Sequence, residues 1–277
     1  GGQILQCETK DLIYEKQQTF TKFSEIKDPS KHPQVGEMVD EIRPLKDFDY
    51  IFMRKDPPVN VDYMNALHIL SQAEFEGANI LNRPSALMKF NEKIFALQFS
   101  DWMPDTSVIC KEDDFKLFKE KYSEVILKPL NGMGGDSIYK FDKTSEDHLK
   151  IFKELTNNYK TMVMVQNFLP EIYDGDYRIL IINGEPFPIG LARIPQKGSF
   201  KGNLAAGGRG EARELSADQI QASKEIGKIL IQEGILFAGI DMIGSSLTEI
   251  NITSPTGARE ILTQTGQNPI KALLQSI

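Results

Sequence analysis

The stretch from Phe237 to Ile252 constrains the fold more than any other part of the chain. Two apolar runs, Phe237-Ala238-Gly239-Ile240-Asp241-Met242-Ile243 and Leu247-Thr248-Glu249-Ile250-Asn251-Ile252, flank Gly244-Ser245-Ser246. That pattern predicts a hairpin of two buried strands. A three-residue loop sets Asp241 opposite Glu249 and Gly239 opposite Asn251. Ile240, Met242, Ile250 and Ile252 then share the other face, so the apolar pattern supports the register. Directly opposed side chains lie ~4.5–5.5 Å apart, and like charges there repel. A cation would relieve that conflict. Two carboxylates and one amide oxygen are hard ligands, suited to Mg²⁺ holding a substrate phosphate. The competing reading is a surface hairpin whose acids are simply solvated.

The 277 residues suffice for two or three modest domains. A net charge of -7 argues against a general nucleic-acid surface, and an anionic small substrate would need a local basic pocket against that background. No apolar run approaches the ~20 residues that span a membrane, and no signal-peptide pattern is visible. Cys7 and Cys110 are too few for a disulfide framework or a cysteine zinc site, so a reducing cytoplasm fits best. The chain opens on Gly1-Gly2, and Gln3-Ile4-Leu5-Gln6-Cys7 already reads as a strand. An opening strand and helix are therefore expected to precede this sequence.

Asp49 to Met53 reads as a strand stopped at Pro57-Pro58, Val61 to Glu76 as a helix capped by Gly77, and Asn79-Ile80-Leu81 as the next strand. Strand, helix, strand predicts a right-handed parallel unit, with ligands outside the carboxyl strand ends, where Arg54 and Lys55 fall. A solvated loop accounts for that pair equally well. A second helix is expected from Ser85 to about Phe99, carrying Lys93. Beyond it, strands at 124–128, 137–141 and 162–166 with a polar helix near 145–157 read as a small α+β module. Arg178 to Ile182, a tight Asn183-Gly184 turn and Pro188 to Ile194 form a further hairpin. A helix over about 217–233 precedes the acidic hairpin.

Asn131-Gly132-Met133-Gly134-Gly135-Asp136 lies between two strands. Its glycines let backbone N–H groups approach phosphate oxygens, although a plain hairpin turn explains the composition as well. Lys128 ends the strand before it and suits a triphosphate. Gln166-Asn167-Phe168-Leu169-Pro170 offers backbone groups and an apolar face to a purine, or is an edge strand stopped at Pro170. Asp174-Gly175-Asp176-Tyr177-Arg178 adds an acid and an arginine at a strand start. Arg193 to Gly210 is glycine-rich and basic, a length that is usually functional inside a domain, and reads as a segment closing over anionic ligands. Ser254-Pro255-Thr256-Gly257 either grips a substrate carboxylate or caps a helix at Ala258. No nucleophile elbow, paired Cys-x-x-Cys or His-Glu-x-x-His occurs, so hydrolase triads and zinc chemistry are poor readings.

Together these segments resemble the ATP-grasp superfamily and, within it, the bacterial glutathione synthetases. The matching segments are 53–58, Asn91-Glu92-Lys93, 126–135, 191–196, 202–210 and 247–256, and their order along residues 50–260 is what makes the resemblance specific. It implies an α/β and α+β chain with the ATP-grasp fold. An amino-terminal parallel-sheet, Rossmann-like domain (1–90) is followed by a lid subdomain (91–168) and an antiparallel catalytic subdomain (169–277) with a mobile loop at 195–210. The implied reaction joins γ-glutamylcysteine to glycine through an acyl phosphate, using ATP and two Mg²⁺, with Mn²⁺ as a substitute. By the same resemblance Lys93, Lys128, Gly132, Gly134 and Gly135 would meet the phosphates, Gln166, Asn167 and Leu169 the adenine, and Asp176 the ribose. Asp241, Glu249 and Asn251 would hold metal. Arg178, Arg193, Lys201 and Arg209 would carry the chemistry, and Arg54, Lys55, Ser254, Pro255 and Thr256 would bind substrate. The family usually has arginine where this chain has Lys201, which keeps the charge but loses the bidentate fork. A homo-oligomer in the cytoplasm, free of nucleic acid and membrane, is the expected state. The alternatives are another ATP-grasp ligase or a nucleotide-binding regulatory protein that no longer turns over.

Overall fold

The computed structural model describes residues 2–28, 37–56, 58–132, 137–204 and 207–277. The chain divides into two compact units, residues 1–89 with 233–235 and residues 90–232 with 236–277. In the first, β1 (Leu5–Gln6), β2 (Leu12–Glu15), β3 (Gln18–Glu25) and β4 (Glu37–Pro44) make an antiparallel sheet centred on β3. The sequence reading had only its first strand, because β3 and β4 mix polar with apolar residues and carry no clean alternation. The expected parallel unit follows: β5 (Ile51–Phe52), α1 (Val61–Phe75) and β6 (Ile80–Leu81), with β5 and β6 paired in parallel. Asn60 caps α1 by accepting the Tyr63 N–H, and Gly77 leaves the helix at φ +101°. Glu76 then ties the helix end to the sheet, accepting from the N–H and hydroxyl of Thr19 at 2.8 Å each.

The helix expected over 85–99 is broken. α2 (Pro84–Lys89) ends before Phe90, and α3 (Glu92–Ala96) starts afresh on Asn91. The Asn91 carboxamide accepts the N–H groups of Lys93 and Ile94, a local bond that competes with helix continuation. In the second unit β7 (Thr106–Ile109), β8 (Glu124–Pro129), β9 (Tyr139–Asp142) and β10 (Val163–Asn167) form an antiparallel sheet in the order β7-β10-β8-β9. α4 (Glu112–Lys121) and α5 (His148–Leu155) cover one face, where Phe115 stacks on Phe152 at 4.6 Å over Val125, Leu127, Val163 and Val165. Strand alternation turns Ile126, Lys128 and Gln166 to the opposite face.

The larger sheet is antiparallel, ordered β14 (Arg209–Glu214), β13 (Ile189–Ile194), β11 (Asp176–Ile182), β15 (Phe237–Ile243) and β16 (Ser246–Asn251), with β12 (Glu185–Pro186) on the end of β11. One face, with Ile179, Ile181, Ile240, Met242 and Ile250 fully buried, lies under α6 (Ala217–Gln232). Contact there is backbone-close: a Cβ on Gly227 of α6 would stand 1.9 Å from the carbonyl oxygen of Gly184, in the Asn183-Gly184 turn. The other face changes character along its length. Leu180, Ile182, Leu191 and Phe237 pack on Ile261 of α7 (Ala258–Thr265) and Leu273 of α8 (Pro269–Ser276). At the far end of β11 the same face carries Asp176 and Arg178.

The acidic hairpin has the expected register, Asp241 opposite Glu249 and Gly239 opposite Asn251. Its loop differs. Ile243 pairs with Ser246, so the turn is the two residues Gly244-Ser245, and a bulge at Thr248 restores the register. No helix among the described residues is long and apolar enough to cross a membrane.

Candidate active site

Four strands of the larger sheet bring distant charges onto one face. Across the ladder Arg178 faces Asp241, and Asp176 faces Arg193. Arg178 grips Asp241 with two bonds, Nε to Oδ1 at 2.5 Å and Nη2 to Oδ2 at 3.0 Å. Arg193 Nη2 lies 2.9 Å from Asp241 Oδ2 and donates to Asp176 Oδ2 at 2.5 Å. All four side chains are buried. Burial alone would raise the Asp241 pKa, but the two guanidinium charges outweigh it and hold the carboxyl well below the usual range. Burial of Asp176 prevails over Arg193 and raises its pKa. Gly239 and Gly257 make room for this array, since a Cβ on Gly239 would meet Arg178 Cδ at 2.8 Å and one on Gly257 would meet Arg178 Cγ at 3.3 Å.

Glu249 is partnered separately. Lys93 Nζ donates to its Oε1 at 3.0 Å and to the Gly132 carbonyl at 2.7 Å. The repulsion between the facing acids is therefore relieved by three basic side chains of the protein, and it does not by itself demand a metal. The donor set still fits one. Lys93 takes only Oε1 of Glu249, and the buried Nδ2 of Asn251 has no partner among the described residues. Rotating that amide would present its oxygen. No cluster of three or more His, Cys, Asp or Glu side chains stands together among the described residues, so a cation here would depend on ligand oxygens to complete its shell.

An open cleft runs between the two sheets of the second unit. Lys93, Lys128, Gly132, Gln166, Asn167, Leu169, Asp176, Lys201, Asp241 and Glu249 line it, ten residues that the sequence singled out. Lys128 donates to the carbonyl of the bulged Thr248 at 3.2 Å, and burial lowers its pKa to about 8. Gln166 bonds Thr106 at 2.9 Å, while the buried Asn167 Oδ1 and Asp176 Oδ1 have no partner among the described residues. Phe168 adds a buried apolar wall, with Lys140 over its ring at 3.5 Å. Phe200 and Asn203 join Lys201 from the glycine-rich segment. Gly202 fits there because a Cβ would stand 2.4 Å from the Arg193 carbonyl oxygen.

Other candidates lie elsewhere. Arg178 and Arg193 sit behind the cleft lining, engaged by acids. Arg209 is exposed on edge strand β14, 2.5 Å from Glu211, and does not line the cleft. Arg54 and Lys55 belong to the first unit, where Lys55 pairs with Glu8. Ser254, Pro255 and Thr256 follow β16; Ser254 Oγ is buried with no partner among the described residues, and the Thr256 carbonyl is 3.5 Å from Arg178 Nη1. Gly134 and Gly135 lie outside the described residues.

A cleft between two antiparallel sheets, floored by acids and edged by two lysines, agrees with the comparisons. Residues 1–88 match the family model for the prokaryotic glutathione synthetase N-terminal domain, and residues 92–266 that for its ATP-grasp domain. The chain belongs to the prokaryotic glutathione synthetase family. That membership makes it an ATP-dependent carboxylate–amine ligase. Glutathione synthetase of Escherichia coli (strain K12) is 49% identical over 219 residues, 79% of this chain and 69% of the relative. That of Vibrio parahaemolyticus is 42% identical over 264 residues, 94% and 83% of the two chains. Among solved structures, a RiPP-associated ATP-grasp ligase of Chryseobacterium gregarium, in complex with ADP and peptides, aligns at TM-score 0.63 with 16% identity, covering 99% of this chain and 85% of that one. The ATP-grasp ligase PsnB, complexed with minimal precursor, Mg and ADP, aligns at 0.56 with 17% identity, covering 78% and 66%. At these identities the structures bear on fold alone, and the fold is ATP-grasp.

Proposed function

We propose that this chain joins γ-glutamylcysteine to glycine with ATP, through an acyl phosphate, to give glutathione, ADP and phosphate. The observation that carries the site assignment is the cleft itself, where Lys93 from α3, Lys128 from the smaller sheet and Asp241 and Glu249 from the larger sheet converge. Asn167, Leu169 and Phe168 form the apolar end suited to adenine, and the open Oδ1 of Asp176 is an acceptor for a ribose hydroxyl. Lys93 and Lys128 neutralise phosphate charge. Asp241, Glu249 and Asn251 would hold Mg²⁺, with Mn²⁺ as a substitute, and the ion would add charge neutralisation at the phosphoryl oxygens.

A carboxylate acylates poorly because its leaving group would be oxide. In the proposed first step a carboxylate oxygen of γ-glutamylcysteine bonds to the γ-phosphorus. The bond from that phosphorus to the bridging oxygen breaks, and ADP leaves with the electron pair. The neutral glycine amine then attacks the acyl carbon, phosphate departs, and the amine proton passes to solvent. Lysine charges at the transferring group favour the first step. Lys201 from the glycine-rich segment excludes water from the acyl phosphate. Cytoplasmic location and a homo-oligomeric state are part of the same reading.

The test is a coupled ADP assay on γ-glutamylcysteine with and without glycine. ADP release that requires both supports the proposal. Release with other dipeptides or amines only would favour another ligase, and nucleotide binding with no amine-dependent ADP would favour a regulatory protein. Lys201→Ala is expected to lower turnover and to raise the ratio of ADP formed to peptide formed above one, as stranded acyl phosphate hydrolyses. Lys201→Arg should keep that ratio at one.

Lys128 gives a pH signature. Its folded pKa, lowered by burial to about 8, lies below the 10.5 of a free lysine. Part of the empty protein therefore has a neutral Lys128 above pH 8, and a polyanion in the cleft favours the charged form. Binding should take up a proton between about pH 8 and 10, and affinity should fall with rising pH there, by up to about tenfold per unit. Titration calorimetry at pH 8.5 in two buffers of different ionisation enthalpy measures that uptake. It should vanish in Lys128→Met.

A further inference from the structure

We infer that Glu92 is a positioning residue for the turn 254–256, setting affinity for the substrate carboxylate rather than for the nucleotide; the inference rests on the proposed ligation. β16 is an edge strand, and its ladder with β15 ends at Asn251. Backbone N–H groups just beyond it have no strand to pair with, and a buried N–H must find an acceptor elsewhere. Glu92 Oε1 supplies it. It accepts from Ile252 N at 3.0 Å, Thr253 N at 3.2 Å and Thr253 Oγ1 at 2.9 Å. One carboxylate oxygen thus fixes the chain immediately before Ser254, whose buried Oγ has no partner among the described residues. Bonds to an ionised acceptor are among the stronger hydrogen bonds a protein makes.

The neighbours of Glu92 explain why this position matters. Asn91 donates from Nδ2 to the Leu130 carbonyl at 3.3 Å and caps α3. Lys93 holds Glu249 and the Gly132 carbonyl. Three consecutive residues therefore address three different parts of the site: the glycine-rich turn, the acid of the hairpin, and the segment entering 254–256. α3 packs on β16, so the helix acts as a rigid spacer between them. Of the three, Glu92 is the one that bonds the segment entering 254–256.

The experiment compares wild type, Glu92→Ala, Glu92→Gln and Thr253→Val. It measures steady-state KM for γ-glutamylcysteine and for glycine, the Kd for ADP, and amide exchange at Ile252 and Thr253. Glu92→Ala should raise one of the two KM values at least about tenfold, shift the ADP Kd less than about threefold, and speed exchange at both amides. Glu92→Gln keeps an acceptor oxygen and should recover most of the KM. Thr253→Val loses one of the three bonds and should raise the same KM by less than Glu92→Ala does. Unchanged exchange, or equal effects on ADP and substrate, overturns the inference. If Glu92→Ala does not fold, the Gln and Val variants decide by the same measures. Wild type that shows no glycine-dependent turnover sinks the ligase reading instead, and exchange in the variants still decides whether Glu92 anchors the segment.

Discussion

Glu249→Gln is expected to cut kcat by about 10²–10³-fold while the protein stays folded. The side chain is partly exposed to the cleft, and its one described partner is Lys93. Glutamine keeps the shape and an oxygen acceptor, and Lys93 retains the Gly132 carbonyl. The stability cost should therefore be small, about 1–2 kcal/mol. What disappears is a negative charge facing the cleft, at the end where the proposed function puts the phosphates. Steady-state ADP release and urea unfolding, run on the same preparation, separate the two effects. Near-normal turnover would remove Glu249 from the machinery. A collapse in stability would mean that the residue is structural first.

Asp241→Asn should fail in the opposite order, losing stability as well as activity. Its carboxylate is shared by Arg178 and Arg193, all three of them buried. Removing one partner of a buried ion array leaves charge uncompensated in a poor solvent, which typically costs about 3–5 kcal/mol. Asp176 still answers Arg193, but Arg178 loses its one ionic partner among the described residues and is left with a neutral amide oxygen and a long contact to the Thr256 carbonyl. Thermal unfolding should show the loss directly. A variant as stable as wild type would mean that the arginines find water or new partners. The contrast between two acids that face each other in one hairpin is the diagnostic result.

The hairpin was legible because its information is local. A period of two, with Ile240, Met242, Ile250 and Ile252 on one face, sets the register whatever the loop does, and the bulge at Thr248 left it intact. Lys128 was visible as a basic residue at the end of an apolar strand, whereas 166–170 read equally as an edge strand, which β10 is not, since it pairs with both β7 and β8. What relieves Asp241 was not visible. Arg178 reaches it through the pairing of β11 with β15, 63 residues apart in sequence, and Arg193 joins it from β13 on the other side of β11; neither spacing nor composition encodes that central register. Glu92 was quoted only as part of the Asn91-Glu92-Lys93 segment, and its role escaped notice because its partners lie 160 and 161 residues away. The break at Asn91 did have a local signal, an asparagine followed by acid and lysine, but the surrounding apolar period hid it.

The closeness of α6 to the turn at Gly184 has its own consequence. Helix and turn meet backbone to backbone, with no side chain between them at Gly227. The same helix lies against β15, which carries Asp241. Enlarging either glycine by a single methyl would push the rod off its seat and tilt the strand that bears Asp241. Tolerance to amino-acid change should thus be poorest on the dry rear of this sheet, away from the cleft, and a swapped-in helix of equal length and polarity would serve only if it brought its own gap at that spot.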